Sequence, residues 1–248
     1  MNRSLWTRCI SKTYCPGWQC PICQEGTISL MPKSLTYEET FNSSNSHDHD
    51  QFDPDWIQYL FTALGQCSQA SCQQKFAIAG EGGVSPEYGP NGRDWQYEDY
   101  FMPKYCFPMP HIIDLPQNCP DEIKEEMIKA FSLFWINRSA CAGRIRVLLE
   151  MLMNQAGVSK EKKLNDRIIE FTSNNPETGM QLMALKWLGN TGSHEDDVSK
   201  ADILDAFEIL EHALIEIIDN RKEKIAELAA KLQEKHQPKK TLPLLSSE

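Results

Sequence analysis

Two short cysteine pairs constrain the fold of this chain more than any other feature. Cys20 and Cys23 enclose Pro-Ile, whereas Cys67 and Cys72 enclose Ser-Gln-Ala-Ser, and a long stretch separates the two pairs. Each pair fits a turn between strands, and two such turns together form the tetrahedral four-thiolate site that structural Zn²⁺ prefers. The layout is typical of a zinc ribbon. It predicts one zinc ion with a structural role only, because a closed four-sulfur site has no open coordination position.

The other cysteines leave alternatives open. The chain has nine cysteines, so at least one stays unpaired in any fully bridged scheme. Cys9 and Cys15 are possible substitutes in the looser second pair, since Cys15 lies only five residues before Cys20. Free buried thiols, which behave as small hydrophobes, are the alternative to metal binding. Three further cysteines are expected to be buried and inert: Cys106, Cys119 and Cys141.

Length and charge limit the number of domains and the kinds of partner. With 248 residues and 28.4 kDa, the chain is long enough for one large domain or two small ones. Lys and Arg number 25 against 35 Asp and Glu, and the net charge of −10 argues against broad electrostatic binding of DNA. No apolar run approaches the ~20 residues of a membrane-spanning helix, and the N-terminus lacks a signal-peptide core. We therefore expect a cytoplasmic protein with no membrane partner.

Composition divides the chain at about residue 117 and predicts the α+β class. Residues 1–117 contain six of the nine cysteines before position 100, several Gly and Pro breaks and short aromatic runs, as in a small strand-rich domain. Residues 118–248 are poor in Gly and Pro and show helical periodicity. Within the first half, the polar segment 42–55 is predicted to be a solvated loop rather than a metal site of His47 and His49. Strands are predicted at 26–37, 56–66 and 74–79.

Caps and apolar spacing predict the helices of the second half. Pro120 starts the first helix, and Gly157 suits the C-cap of the second. Ser199 begins a capping-box-like sequence, after which apolar residues at spacings of four and three predict one long helix to about Pro238. Beyond Asp219 this helix should project as a solvated stalk or a docking helix. The four preceding helices are predicted at about 120–136, 139–157, 164–172 and 176–188.

Five motifs, in the order in which they occur, resemble one known family. They are Tyr105-Cys-Phe-Pro108, Leu115-Pro116, Phe131-Ser-Leu-Phe-Trp135, Arg144-Ile-Arg-Val-Leu-Leu-Glu150 and Lys186-Trp-Leu-Gly-Asn-Thr-Gly-Ser-His194. Over roughly residues 100–220 they resemble the bacterial domain-of-unknown-function family 4145. That family is similar to the HEPN superfamily of all-helical domains, which includes RNA-cleaving toxins, CRISPR-associated ribonucleases and antiphage effectors. The resemblance implies a HEPN-like helical bundle with a long C-terminal helix, behind a small N-terminal zinc ribbon.

The resemblance also implies a candidate ribonuclease site. HEPN ribonucleases use an Arg, usually followed by a polar residue, and a His four to six positions further on, and two chains bring two such pairs together. Asn190 and His194 match the polar residue and the histidine, but Gly189 occupies the arginine position. The nearest upstream cation is Lys186, one helical turn away and out of register. Catalysis is therefore in question even if the fold is shared.

A ribonuclease site of this kind needs side chains for two chemical roles. RNA cleavage without metal needs a base of near-neutral pKa and a cation that stabilises the phosphorane. His194 can be the base, and Arg146 or Arg144 of the neighbouring helix can be the cation. The structural alternative is that His194 holds the loop by hydrogen bonds and that Arg146 pairs with Glu150. Lys186 would then be an ordinary surface lysine.

The segment 189–194 is predicted to be the functional centre of the helical half. Its two glycines permit left-handed backbone angles, and its exposed amides can bind an anion or a partner's backbone. The alternative is that the first glycine only caps one helix and the second eases the turn. The predicted loop residues are Gly189, Asn190, Gly192, Ser193 and His194.

Two functional classes follow from these patterns. The first is a non-catalytic interaction or sensor subunit of a bacterial defence or restriction-type system. The second is a HEPN-like, metal-independent ribonuclease or toxin that acts on RNA as a dimer. Gly189 at the arginine position and the acidic charge favour the non-enzymatic class. In either class we expect a homodimer or a complex with a protein partner, formed mainly by the helical half.

Overall fold

An antiparallel sheet precedes a helical bundle, which confirms the predicted α+β class. The computed structural model describes residues 1–88, 95–191 and 198–236. In the first half, the sheet is accompanied by two short helices, α1 at Ser4–Thr7 and α2 at Phe41–Ser46. The five strands are β1 Ile28–Leu30, β2 Thr36–Glu39, β3 Gln58–Cys67, β4 Lys75–Tyr88 and β5 Trp95–Phe107.

All described strand pairs are antiparallel, and β3 is the strand on which the sheet is organised. β1 and β2 both pair with one edge of β3, while β4 pairs with the other edge and with β5. Side chains alternate along β3, so Phe61 and Ala63 are buried whereas Leu60 and Leu64 are exposed. The sheet therefore has one face in the core and one face in solvent.

The sheet is more extensive than the three predicted strands. The predicted strand 26–37 is divided by a turn in which Lys33 has a positive φ of 62°. The predicted strand 74–79 continues to Tyr88, and β5 was not predicted at all. The glycines and the proline in β4 suggested that the strand ends early. Gly80 instead lies at a register shift within the strand, where a Cβ would collide with the carbonyl oxygen of Met102. Close approach of two strands explains that glycine.

The segment 42–55 is more structured than the predicted loop. Its first part forms α2, because the Thr40 side chain accepts a hydrogen bond from the Ser43 N–H and caps the helix. A single 3₁₀ turn follows at Pro54–Trp56. His47 bonds to a carboxylate oxygen of Glu39 at 2.8 Å, so this histidine has a structural partner.

Six helices form the second half, as far as residues 118–191 and 198–236 describe it. Their predicted caps are confirmed: Pro120 is the N-cap of α3, Gly157 follows α4 with a φ of +74°, and Ser199 and Asp202 form a capping box. The helices are α3 Asp121–Leu133, α4 Arg138–Gln155, α5 Leu164–Asn174, α6 Pro176–Thr191, α7 Lys200–Asp219 and α8 Arg221–His236.

The prediction of one long C-terminal helix is wrong. Asn220 adopts a left-handed conformation, with φ 47° and ψ 46°, and separates α7 from α8. Asparagine tolerates this conformation better than most residues, and the apolar pattern on both sides hid the break. Every residue of α8 is exposed. The projecting part is therefore a separate helix.

The N-terminal segment links the sheet to the helices. Trp6 is buried against Trp18 of the first half and Phe134 of the second, with ring centroids 6.1 Å apart in both pairs. Arg3 forms ion pairs with two acidic residues of α7, and Ile10 forms a β-bridge with Phe101 of β5. The core is thus continuous from the sheet into the bundle.

Candidate metal centre and helical site

The structure brings the four predicted metal ligands together. The Sγ atoms of Cys20, Cys23, Cys67 and Cys72 all lie within 4.8 Å of one another. Two of the separations are 3.9 Å, between Cys20 and Cys72, and 3.6 Å, between Cys23 and Cys67. Four thiol sulfurs at such distances can all contact one ion placed at their centre. The cysteines thus form a group that can hold a metal ion.

Both cysteine turns have a related backbone conformation. Gln24 follows Cys23 and Gln73 follows Cys72, and each glutamine has a positive φ, of 58° and 47°. The first turn is closed by the Gln24 N–H, which donates to the Cys20 carbonyl at 2.9 Å. The backbone turns at Gln24 and Gln73 therefore help to position the thiols, together with the end of β3 at Cys67.

Gly26 allows the two turns to approach each other. A Cβ at this position would meet the Sγ of Cys67, and it would lie 2.8 Å from the backbone nitrogen of Gln69. Since neither atom belongs to a flexible side-chain end, any larger residue must push the turns apart. Gly26 is thus part of the site, and the sequence pattern did not predict this role.

Backbone amides point at the sulfurs. The N–H groups of Gly26 and Glu25 lower the pKa of the Cys23 thiol to about 6, with Gly26 nitrogen 3.4 Å from Sγ. Burial raises the pKa of Cys67 to about 12, although the Gln69 N–H opposes this shift. The Cys23 thiol is thus the more readily deprotonated of these two, and Cys67 must lose its proton when a cation binds.

Cys15 does not replace a ligand of the second pair. It is absent from the group of described residues that can hold a metal, and its sulfur contacts the Pro16 carbonyl at 3.6 Å. Burial raises the pKa of Cys15 to about 12. The three cysteines predicted to be buried are so, with exposed fractions of 4% or less: Cys106, Cys119 and Cys141.

The predicted ribonuclease site is described only in part. Gly192, Ser193 and His194 lie outside the described residues, so neither the base nor the end of the predicted loop can be placed. Gly189 and Asn190 belong to α6, which runs to Thr191, and the predicted start of the loop at position 189 is wrong. Gly189 is therefore not a helix cap either.

Arg146 and Asn190 are brought together by the packing of α4 on α6. The Arg146 guanidinium donates a short hydrogen bond to the Asn190 side-chain oxygen. A Cβ at Gly189 would lie 2.9 Å from the Cβ of Arg146 and 3.2 Å from the carbonyl oxygen of Ala142. Glycine at position 189 therefore permits close helix packing, and a larger residue there would have to move α6 away from α4.

Other predicted contacts of these helices are wrong. Among the described residues no ion pair joins Arg146 to Glu150, since Arg146 bonds to Asn190 instead. Arg144 pairs with Glu126 at 3.0 Å. Lys186 is not a surface lysine, because only 5% of it is exposed and its ammonium group donates to the Asn165 side chain at 2.6 Å.

The buried lysine also lies over an aromatic ring. Its nitrogen is 3.9 Å from the ring centroid of Trp187. The Lys186 ammonium group is therefore held by the Asn165 amide oxygen and the Trp187 ring, and it points toward α5. Lys186 therefore does not join Arg146 and Asn190 in one described cluster.

Fold and site define a protein with a cysteine-clustered antiparallel sheet at its N-terminal side and a helical bundle behind it. Two family models match the chain: a domain of unknown function, DUF8608, at residues 8–106, and a domain of unknown function, DUF4145, at residues 128–235. The second match confirms the resemblance of the helical half, and the first was not anticipated. No curated protein and no solved structure shows significant similarity to the chain.

No helix among the described residues has the length and apolar character needed to cross a membrane.

Proposed function

We propose that the protein is a non-catalytic interaction or sensor subunit of a bacterial defence or restriction-type system. The observation that carries this proposal is an apolar surface on the solvent side of the sheet, which we call the outer face. Its exposed apolar residues are Leu60 and Leu64 of β3 and Met102, Tyr105 and Phe107 of β5.

The register makes two neighbouring rows of the outer face contiguous, whereas Leu60 and Met102 lie on either side of Glu81. Leu64 pairs with Ala77, which pairs with Phe107, and the next row runs through Ala79 to Tyr105. In these two rows β4 contributes only alanine side chains, so the larger side chains of β3 and β5 project beyond it. Contiguous apolar surface of this kind is typical of protein contact sites, whereas isolated exposed apolar residues are not.

The structural part of the proposal is that the cysteine group holds zinc. Tetrahedral Zn²⁺ with bonds of ~2.3 Å to four thiolates places the sulfurs about 3.8 Å apart, close to the separations of 3.6 and 3.9 Å. The ion would fix the ends of β1 and β3, since Cys67 is the last residue of β3 and pairs with Ile28. Zinc would thereby keep the sheet rigid enough to present the outer face.

The helical half is proposed to be HEPN-like and to mediate self-association. α8 is exposed throughout, and Ile225, Leu228 and Leu232 form an apolar stripe on it, each more than half exposed. A helix of 16 residues is marginal in water without a packing partner. A second copy that contributes the same stripe gives a symmetric contact, as expected for a homodimer.

The test is recovery of a partner from the bacterial host with variants of the outer face. Tagged protein with Tyr105→Ser and Phe107→Ser should lose a partner that the unchanged protein retains. The matched control is Ile169→Ser, which removes an apolar side chain that is 54% exposed on α5. Phage challenge of cells that carry each variant then shows whether the same two substitutions abolish protection.

Two results would contradict the proposal. One is a partner that is retained by the outer-face variant and lost by the Ile169→Ser control. The other is a host in which deletion of the protein changes neither phage survival nor the restriction of foreign DNA. Melting temperatures close to that of the unchanged protein are required for both variants, since surface substitutions usually change stability by less than about 0.5 kcal/mol.

A metal-independent ribonuclease is the second candidate, favoured by the contact between Arg146 and Asn190. That contact joins a cation to the predicted polar residue of the HEPN pair. RNA cleavage in the presence of a chelator that leaves the protein folded, lost on Arg146→Gln and on His194→Ala, would establish it. Absence of cleavage by a dimeric preparation would support the non-catalytic function instead.

A further inference from the structure

A cavity of about 190 Å³ lies where the N-terminal segment, β5 and the helical half meet. At ~30 Å³ per water molecule, this volume corresponds to about six waters, and it is below the ~300 Å³ at which drug-sized sites begin. It suits one ring system with a small polar group. The lining residues come from 6–9, Trp18, 102–104, 134–138 and Lys200.

One wall of the cavity is aromatic and fixed. Trp6, Trp18 and Phe134 are at most 3% exposed, and Trp135 lies against Trp18 with ring centroids 5.3 Å apart. The Trp18 indole N–H donates to the Leu5 carbonyl at 2.8 Å, which sets the orientation of that ring. A planar apolar group can pack on this wall without first ordering it.

The rest of the lining is strongly basic. Four cations line the cavity, and none of the other lining residues carries a carboxylate. Of these four cations, only Lys104 has an acidic partner among the described residues, namely Glu81 at 3.1 Å. The Arg138 guanidinium is held in place by the carbonyl of Val198 at 2.8 Å. The four are Arg8, Lys104, Arg138 and Lys200. In a chain with a net charge of −10, such a group of cations is unusual.

The cations repel one another. Partial burial, together with Arg138 and Lys104, lowers the pKa of Lys200, and only Cys9 opposes this shift. Asp202 is engaged in the capping box with Ser199 and does not line the cavity. Residues 195–197, which are acidic in the sequence, lie outside the described part of the chain. An anion in the cavity would relieve the repulsion.

We propose that this cavity binds a small aromatic anion, a planar ring that carries a phosphate or a carboxylate. The ring packs on the tryptophans, and the anionic group lies among Arg8, Arg138 and Lys200. The cavity shares Met102 with the outer face, but the inference does not rest on the proposed interaction role. Because both halves of the chain line the cavity, a bound ligand also holds the halves together.

The experiment uses the full chain with its metal and four probes. Phenyl phosphate and benzoate carry ring and charge, benzyl alcohol carries the ring alone, and inorganic phosphate carries the charge alone. Tryptophan fluorescence and calorimetry should show saturable binding of phenyl phosphate or benzoate. We expect it to be at least about tenfold tighter than binding of either incomplete probe, since each of those lacks either the charge-assisted hydrogen bonds or the packing on the aromatic wall.

Substitutions in the lining test whether the probe binds in this cavity. Arg8→Gln with Lys200→Gln should weaken binding of the preferred probe by about tenfold. The matched control is Lys231→Gln with Lys235→Gln, which removes the same charge from the exposed helix α8 and should change affinity by less than about twofold. Circular dichroism and melting temperature check that both proteins are folded.

Three results would overturn the inference. The first is no saturable binding of any probe to the unchanged protein up to millimolar concentration. The second is equal affinity for inorganic phosphate and phenyl phosphate, which would leave no role for the aromatic wall. The third is full affinity in the folded variant with Arg8→Gln and Lys200→Gln.

Discussion

Replacing Gly26 by alanine tests whether the close approach of the two cysteine turns is needed for metal binding. The new Cβ would lie 2.8 Å from the Gln69 backbone nitrogen and 2.9 Å from the Gln69 Cβ, and in direct collision with the Sγ of Cys67. Because these atoms are held by the turn and by the strand end, the turns must separate. Overpacking of this kind costs typically 1–3 kcal/mol, so we expect about 2 kcal/mol.

We expect that cost to fall on the metal-bound state, because one ion requires all four thiols to meet. About 2 kcal/mol corresponds to a loss of about 30-fold in metal affinity. Competition with a chromophoric zinc chelator measures this change directly, and thermal unfolding measures the loss of stability. The control is Gly143→Ala in α4, where nothing lies within 4 Å of the added Cβ. This helical substitution should be neutral or stabilise the protein by up to ~1 kcal/mol.

The reasoning is refuted if Gly26→Ala binds zinc as tightly as the unchanged protein. It is equally refuted if Gly143→Ala weakens zinc binding to the same extent, because the effect would then not arise at the cysteine turns.

Three further predictions concern the metal, the oligomer and a helix cap. Elemental analysis should find one zinc per chain in protein purified without chelator, and Cys20→Ser with Cys23→Ser should remove it; a metal content near zero would contradict the assignment. Light scattering should show a dimer that Leu228→Asp with Leu232→Asp converts to a monomer, whereas a monomer at micromolar concentration before any change would refute the role of α8. Ser199→Ala should lower the free energy of unfolding by about 1 kcal/mol, because it removes the hydrogen bond to the Asp202 N–H; chemical denaturation measures this loss, and an unchanged midpoint and slope would show that the cap contributes nothing.

The sequence predicted the cysteine group well because its signal is short-range. A cysteine pair with two or four intervening residues determines its own turn, and only the meeting of the two turns depends on the rest of the fold. Helix starts and ends such as Pro120 and Gly157 were likewise encoded by single residues with strong backbone preferences. The contribution of Gly26 was missed because a close approach between distant segments leaves no local pattern.

The hairpin of β4 and β5 shows where local reasoning fails. Gly80, Gly82, Gly83 and Pro86 are usually signs of a break, but here they lie within a strand of 14 residues. Long-range pairing with β5 outweighs the weak strand preference of these residues. The exposed outer face was missed for the same reason, since it exists only when three strands are in register. Lys186 was predicted at the surface because its partner, Asn165, lies on another helix.

The N-terminal segment also has a consequence for the order in which this chain can fold during synthesis. Trp6 and Ile10 leave the ribosome before the sheet is made, and Phe101 can receive Ile10 once β5 has been translated. The packing of Trp6 on Phe134, and the pairing of Arg3 with Asp205 and Glu208 of α7, must wait until the helical half has been translated. The face of Trp6 that meets Phe134 therefore stays uncovered until then, and the joint between the two halves closes after the sheet has formed.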